Sequence, residues 1–188
     1  MKRQESFTTC QSKKVVLLGE CSTGKTSIVY HFLQKEFVEA MPPTIGAAFH
    51  PQTVAVGDKA VKLDIWDTAG QERYHSLAPL YYRDSDAAIV LYDITNKLSF
   101  NGAKVWLKEM TKYYNDAKIR GVLVLVGNKV DREDEREVLE KDGRALAENY
   151  EVDLFFETSA KTGENVKELF STLADSFPED NAQKHYSA

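Results

Sequence analysis

Cysteine is scarce in this 188-residue chain, which holds only Cys10 and Cys21. Two thiols in a domain of this size do not make a disulfide framework, so a reducing compartment is expected. Long apolar runs are missing too. The longest stretch without a polar or charged side chain is residues 121–127, against the roughly 20 residues that a membrane-spanning helix needs. Met1-Lys2-Arg3-Gln4-Glu5-Ser6 leads into no apolar secretory segment. Positive charge is not in excess: 24 Lys and Arg face 29 Asp and Glu, a net charge of −5, so no nucleic-acid partner is expected. No internal repeat or low-complexity block occurs. What the chain does have is a 43% hydrophobic content in a length that suits one domain with a packed core.

Apolar runs of strand length alternate with helical patterns. Residues 15–18 form a short apolar run, as do 87–92 and 122–126, in the manner of strands buried on both faces. Residues 53–56 and 61–65 alternate like half-buried strands, with Gly57-Asp58 as the turn between them. Residues 154–156 are a last strand candidate. Helices are predicted over 25–33, 100–114, 137–150 and 165–177, where apolar positions recur at helical spacing. Strands separated by helices imply parallel pairing with helices on both faces, and the Gly57 hairpin implies one antiparallel edge. The expected class is therefore α/β: a single domain over 13–177 with a six-stranded, mostly parallel mixed sheet. Residues 1–12 and 178–188 are polar and aperiodic, and they read as flexible ends.

Ligands on such sheets bind beyond the C-terminal ends of the strands. After the first strand comes Gly19-Glu20-Cys21-Ser22-Thr23-Gly24-Lys25-Thr26, which fits the phosphate-binding loop pattern. Successive amides can face a polyanion there, and Lys25 supplies a point charge. The Thr26 hydroxyl can ligate Mg²⁺, while the following helix, with Ser27 in its first turn, offers a positive N-terminus. After the third strand comes Asp67-Thr68-Ala69-Gly70-Gln71. Asp67 reads as a Mg²⁺ ligand or a helix cap, Gly70 as an amide donor to a terminal phosphate, and Gln71 as the residue that orients an attacking water. Asn128-Lys129-Val130-Asp131 and Ser159-Ala160-Lys161 follow two later strands. Each alone could be a plain polar loop. Together they suit a guanine pocket, with Asp131 accepting the N1–H and the exocyclic amine, the Lys129 stem over the base and the Ala160 amide toward O6. Adenine would leave that carboxylate unpaired, which gives large discrimination.

With these motifs in this order, the chain resembles a small GTPase of the Ras superfamily over residues 13–177, and within it the Rab family. The Rab resemblance rests on Ile45-Gly46-Ala47-Ala48-Phe49, Leu63-Asp64-Ile65-Trp66-Asp67, Gln71-Glu72-Arg73-Tyr74 and Leu80-Tyr81-Tyr82-Arg83. The run Arg73–Tyr82 looks most like the early-endosomal Rab subgroup. The resemblance implies a P-loop small G-protein fold and a monomeric switch that hydrolyses GTP with Mg²⁺ and regulates vesicle trafficking at endosomes. It implies that Thr26, Thr44 and Asp67 serve the metal, with Thr44 also meeting the γ-phosphate. Glu20 through Ser27 would line the nucleotide, and Phe37 would sit edge-on to the guanine. Gln71 would be the catalytic residue. Ile45, Phe49, Trp66 and Tyr81 would face effectors, although an aromatic trio serves equally as core packing. The implied partners are an exchange factor, an activating protein, a GDP-dissociation inhibitor and effectors. The implied location is cytoplasmic, cycling to endosomal membranes through a lipidated C-terminal tail. This sequence ends His185-Tyr186-Ser187-Ala188 without a cysteine, so that anchor is expected to be absent from it.

Some positions depart from the family pattern. Cys21 occupies a phosphate-loop site where Ras has glycine, and a side chain there can crowd the water or an incoming arginine. That motivates an alternative: a guanine-nucleotide-dependent effector-binding module with little intrinsic hydrolysis. Met41 stands where many relatives have tyrosine, and Asp84 where glycine is common. A P-loop small-molecule kinase is a third possibility, but no arginine-rich lid is present. The histidines (His31, His50, His75, His185) lack ligand-like spacing and read as surface or partly packed residues.

Overall fold

A computed structural model describes residues 12–117 and 120–178. Cys10, His185 and nearly all of the two ends read as flexible lie outside the described residues. Ser12 and Pro178 are the exceptions, and Ser12 already belongs to the first strand, where its hydroxyl donates to Asp64.

The chain runs β1 (Ser12–Leu18), α1 (Lys25–Gln34), β2 (Ala47–Val56), β3 (Lys59–Thr68), α2 (Ala78–Tyr82), β4 (Ala87–Asp93), α3 (Lys97–Ala117), β5 (Val122–Asn128), α4 (Glu140–Asn149), β6 (Leu154–Thr158) and α5 (Val166–Ser176). The sheet order is β2-β3-β1-β4-β5-β6. Only β2 with β3 is antiparallel, and all other neighbours are parallel. Alternate side chains serve opposite faces. Val15, Leu17, Ile89 and Leu91 pack with Ile28 and Phe32 of α1 and with Leu169, Phe170 and Leu173 of α5. Val16, Leu18, Ala88 and Val90 pack with Leu107 and Met110 of α3 and Leu146 of α4. Every residue of β4 is buried, which explains its unbroken apolar run.

β1 and β3 extend beyond the apolar runs at 15–18 and 61–65, and four further elements differ from the sequence reading. β2 begins at Ala47 rather than residue 53 and pairs with β3 along ten residues, from Ala47 opposite Thr68 to Val56 opposite Lys59. Its first half is exposed or half-buried and contains Pro51, so it lacks alternation; an edge strand tolerates that proline. A 3-10 turn over Glu72–Leu77 runs into α2, unpredicted because none of its residues is buried and no helical period develops. α3 starts at Lys97, since Asn96 Oδ1 accepts the amides of Leu98 (2.9 Å) and Ser99 (3.2 Å) as an N-cap. α4 starts at Glu140 because the amides of Glu137 and Val138 bond the Ile94 carbonyl instead (2.8 and 3.0 Å). Among the described residues no helix is long and apolar enough to cross a membrane.

Candidate nucleotide-binding site

The loop between β1 and α1 wraps around the Lys25 side chain. Lys25 is buried, and its Nζ donates to the carbonyls of Gly19 and Glu20, both at 2.8 Å. Burial drives its pKa down to about 8, against the opposing pull of Asp67, Cys21 and Glu20. Thr23 is fully buried and donates from Oγ1 to the Glu20 carbonyl at 3.0 Å. The Glu20 side chain itself turns to α3: a Cβ added at Gly102 would meet Glu20 Cγ at 2.5 Å. Gly24 has φ +97°, and a Cβ there would come within 2.2 Å of Asn128 Nδ2, so both backbone conformation and space require glycine. Gly70 lies equally close, since a Cβ on it would meet Lys25 Nζ at 2.4 Å and the Cys21 amide nitrogen at 2.7 Å.

Three oxygen-bearing side chains meet next to Lys25. Thr26 Oγ1 donates to Asp67 Oδ2 at 2.6 Å, Thr44 Oγ1 donates to the same oxygen at 3.4 Å, and the two threonine oxygens are 2.9 Å apart. Asp67 is fully buried at the end of β3, and its Oδ1 has no hydrogen-bond partner. Burial raises its pKa above the usual carboxylate value, opposed by the Thr26 hydrogen bond and by Lys25. Two hydroxyls and a buried carboxylate with a spare oxygen form an all-oxygen donor set, which fits a hard divalent cation such as Mg²⁺.

Lys25, Thr26 and Thr44 border one cavity of about 150 Å³, and Asp67 is reached from it through the two threonines. Cys21, Ser22, Ser27 and Gly24 line it from the phosphate loop side, with Lys25 and Thr26. Met41, Pro42, Pro43 and Thr44 line it from the segment before β2, and Thr68, Gly70 and Gln71 from the end of β3. Cys21 is a free, exposed thiol with its Sγ 3.7 Å from Ser22 Oγ. Among the described residues no arginine lines the cavity. Phe37 is not among its lining residues and is 38% exposed.

The base-pocket candidates converge through hydrogen bonds. Asn128, at the end of β5 and buried, donates from Nδ2 to the Thr23 carbonyl at 2.9 Å. Its Oδ1 accepts from Thr158 Oγ1 and from the Ala160 amide, both at 3.2 Å. Buried Ser159 donates to Asp131 Oδ1 at 2.5 Å and accepts the amides of Lys161 (3.2 Å) and Thr162 (3.0 Å). Asp131 and Lys161 are exposed. Lys129 has a left-handed backbone, φ 75°, and its Nζ lies 2.7 Å from Asp93 Oδ2. Behind them Arg136 grips Glu157 with two hydrogen bonds, at 2.7 and 2.8 Å.

A separate surface carries the aromatic trio. Phe49 on β2 stands opposite Trp66 on β3, ring centroids 5.3 Å apart, and Trp66 lies 6.1 Å from Tyr81 of α2. Phe49 is 49% exposed and Ile45 80% exposed, whereas Trp66 and Tyr81 are half-buried against the core under α3. The trio is thus both packing and surface.

Sequence reasoning overlooked Asp93, Thr158, Glu157 and Arg136. Asp93 and Thr158 end strands and were discoverable by the same rule that found Asp67. The Arg136–Glu157 pair has no local pattern. The φ of 55° at Asp84 is a left-handed backbone, which is why glycine suits this position.

A family profile described as Ras family matches residues 14–179. The chain is 51% identical over 166 residues to Ras-related protein RABF2b of Arabidopsis thaliana, covering 88% of this chain and 80% of that protein. It is also 51% identical over 165 residues to Ras-related protein RABF2a of the same plant, with the same coverage.

Proposed function

Because this chain belongs to the Ras family of small GTPases, in its Rab branch, we propose that it is a GTP-hydrolysing switch that regulates vesicle trafficking at endosomal membranes. The observation that carries the reading is the meeting of Thr26 and Thr44 with Asp67, where both threonines line one cavity with Lys25 and Gln71. Lys25 and the loop amides bind the β- and γ-phosphates. Thr26, Thr44 and Asp67 hold Mg²⁺, which when bound neutralises phosphate charge. Asn128, Lys129, Asp131, Ser159, Ala160 and Lys161 enclose the guanine, and Phe37 approaches its edge.

In the hydrolytic step Gln71 orients water toward the γ-phosphate, and Lys25 stabilises the charge that develops on the phosphate oxygens. The Thr44 and Gly70 amides are held while the γ-phosphate is present and released after it leaves, which relaxes the segments on either side. An activating protein supplies a second positive charge beside Lys25, an arginine that the described cavity lining does not provide, worth roughly 10³–10⁵ in rate. The further partners in this reading are an exchange factor, a GDP-dissociation inhibitor and effectors at Ile45, Phe49, Trp66 and Tyr81. The protein works as a monomer between the cytoplasm and endosomes, and the lipidated C-terminal tail that would make its membrane contact is not among these 188 residues.

One observation favours a variant of this reading. Cys21 lines the cavity with Gln71, so a side chain borders the space where water must sit. That supports a guanine-nucleotide-dependent module with little hydrolysis of its own. The identity of the copurifying nucleotide tests the shared part: GDP or GTP is expected, and equal competition by ATP would overturn it. Single-turnover phosphate release, with and without an activator, separates the two variants.

A further inference from the structure

Asp93 ends β4 and is outside every nucleotide motif, yet it is a buried carboxylate, 6% exposed. Burying a carboxylate is costly unless each oxygen is satisfied. Here each is. Oδ1 accepts the amide and the hydroxyl of Thr95, both at 2.8 Å. Oδ2 lies 2.7 Å from the Lys129 ammonium. The backbone of Asp93 is fixed as well, because its amide donates to Ser99 Oγ at 3.0 Å and its carbonyl accepts the Asn96 amide at 3.0 Å. Parallel pairing sets Asp93 beside Asn128, one residue before Lys129. The carboxylate is therefore held by the start of α3 and aimed at the lysine.

We infer that Asp93 is a positioning residue for guanine-nucleotide binding: it anchors the Lys129 ammonium so that the lysine stem stands as a fixed wall of the base pocket. A lysine tethered only by its backbone would lose rotamer freedom each time a base bound against its stem. Lys129 has already lost that freedom to Asp93, so base binding no longer has to supply it. The left-handed backbone at Lys129, φ 75°, is the local turn that lets the residue after β5 pair with the residue ending β4. The inference rests on the reading of residues 128–131 as base-binding and adds a residue that acts on the base only through Lys129.

The test is a double-mutant cycle on the dissociation rate of a fluorescent GDP analogue from the loaded protein. Asp93→Asn removes the charge, and Lys129→Met keeps the stem but removes the ammonium. Each single change is expected to speed dissociation about tenfold, a step of about 1.4 kcal/mol. The double variant is expected to be no faster than the faster single variant. Multiplicative effects, or an Asp93→Asn rate within twofold of the parent, would overturn the inference. If Asp93→Asn does not fold, Thr95→Val, which removes one of the donors holding Asp93, takes its place in the cycle, and the same two results support or overturn the inference. GDP-over-ADP preference of the parent protein tests the underlying reading alone. A parent that binds both equally removes the base pocket itself, whereas a guanine-selective parent with multiplicative variants removes only the role of Asp93.

Discussion

Asn128 Nδ2 donates to the Thr23 carbonyl at 2.9 Å, a bond between positions 105 residues apart. Through it, one carboxamide ties the phosphate loop to the base motif, while Oδ1 of the same group accepts from Thr158 Oγ1 and the Ala160 amide. Asn128→Ala would leave three buried polar groups without this partner, each a loss of about 1–3 kcal/mol where water does not replace it. Release of guanine nucleotide is therefore expected to accelerate at least roughly tenfold. Stopped-flow measurement of fluorescent GDP release checks this, and a parent-like rate would show that the bridge holds nothing in place.

The oxygen cluster at Asp67 makes a second prediction. On the proposed reading a divalent cation held by Thr26, Thr44 and Asp67 would stabilise bound nucleotide, so chelation with EDTA should speed GDP release by roughly 10–100-fold. Thr26→Ala removes both a ligand and the 2.6 Å donor to Asp67. In that variant release should already be fast, and EDTA should add little. An undiminished EDTA response in Thr26→Ala would place the cation elsewhere.

Gln71 and Cys21 border the same cavity, and they should act in opposite directions. Gln71→Leu keeps the volume and removes the amide proposed to orient water, so GTP binding should persist while phosphate release falls by roughly 10²-fold or more. Cys21→Gly removes the side chain beside the water site and should raise phosphate release in the presence of an activator. Single-turnover release reads both. Unchanged stimulated release in Gln71→Leu would mean that the activating protein brings its own glutamine.

Much of this site was legible in sequence, and the reason is local. Gly24-Lys25-Thr26 and Ser159 follow strands, Asp67 and Asn128 stand at strand ends, and the chemistry of phosphate, metal and base restricts which residue types work there. β4 and β5 were legible because burial on both faces leaves an unbroken apolar run. The segment 72–82 was not, since its 3-10 turn buries nothing and α2 spans only five residues. The first half of β2 was hidden because hydrogen bonds to β3, rather than alternating apolar side chains, define it. The Asp93–Lys129 and Arg136–Glu157 pairs join distant residues, and no local pattern records them.

Asp84 offers a stability prediction. Its φ of 55° places an L-residue in a left-handed conformation, where glycine has no steric penalty. The bond it makes to Tyr113 Oη at 2.8 Å is donated by the backbone N–H, which glycine retains. Asp84→Gly should therefore stabilise the folded chain by up to about 1 kcal/mol, less the extra backbone entropy of unfolded glycine. In a protein of this size that shifts Tm by roughly 2–4 °C at most. Thermal melts at fixed nucleotide and Mg²⁺ concentrations check it, and a lower Tm would show that the aspartate side chain contributes more than its backbone strain removes.

The aromatic trio allows packing and recognition to be separated within one surface. Phe49 is half exposed and touches Trp66 across the β2–β3 pair, so Phe49→Ala removes surface area that the core scarcely uses. Its cost to Tm should be small, while effector binding should weaken by roughly 1–2 kcal/mol, a 5- to 30-fold rise in Kd. Trp66 packs on the core under α3 and also stands beneath the Lys14 ammonium, 5.5 Å from its ring centroid. Trp66→Ala should lose about 3 kcal/mol or more of stability together with binding. Calorimetry of each variant beside effector titration distinguishes the two roles. If Phe49→Ala destabilises the protein as much as Trp66→Ala does, the trio is core alone; if it leaves effector affinity untouched, recognition lies on another part of the surface.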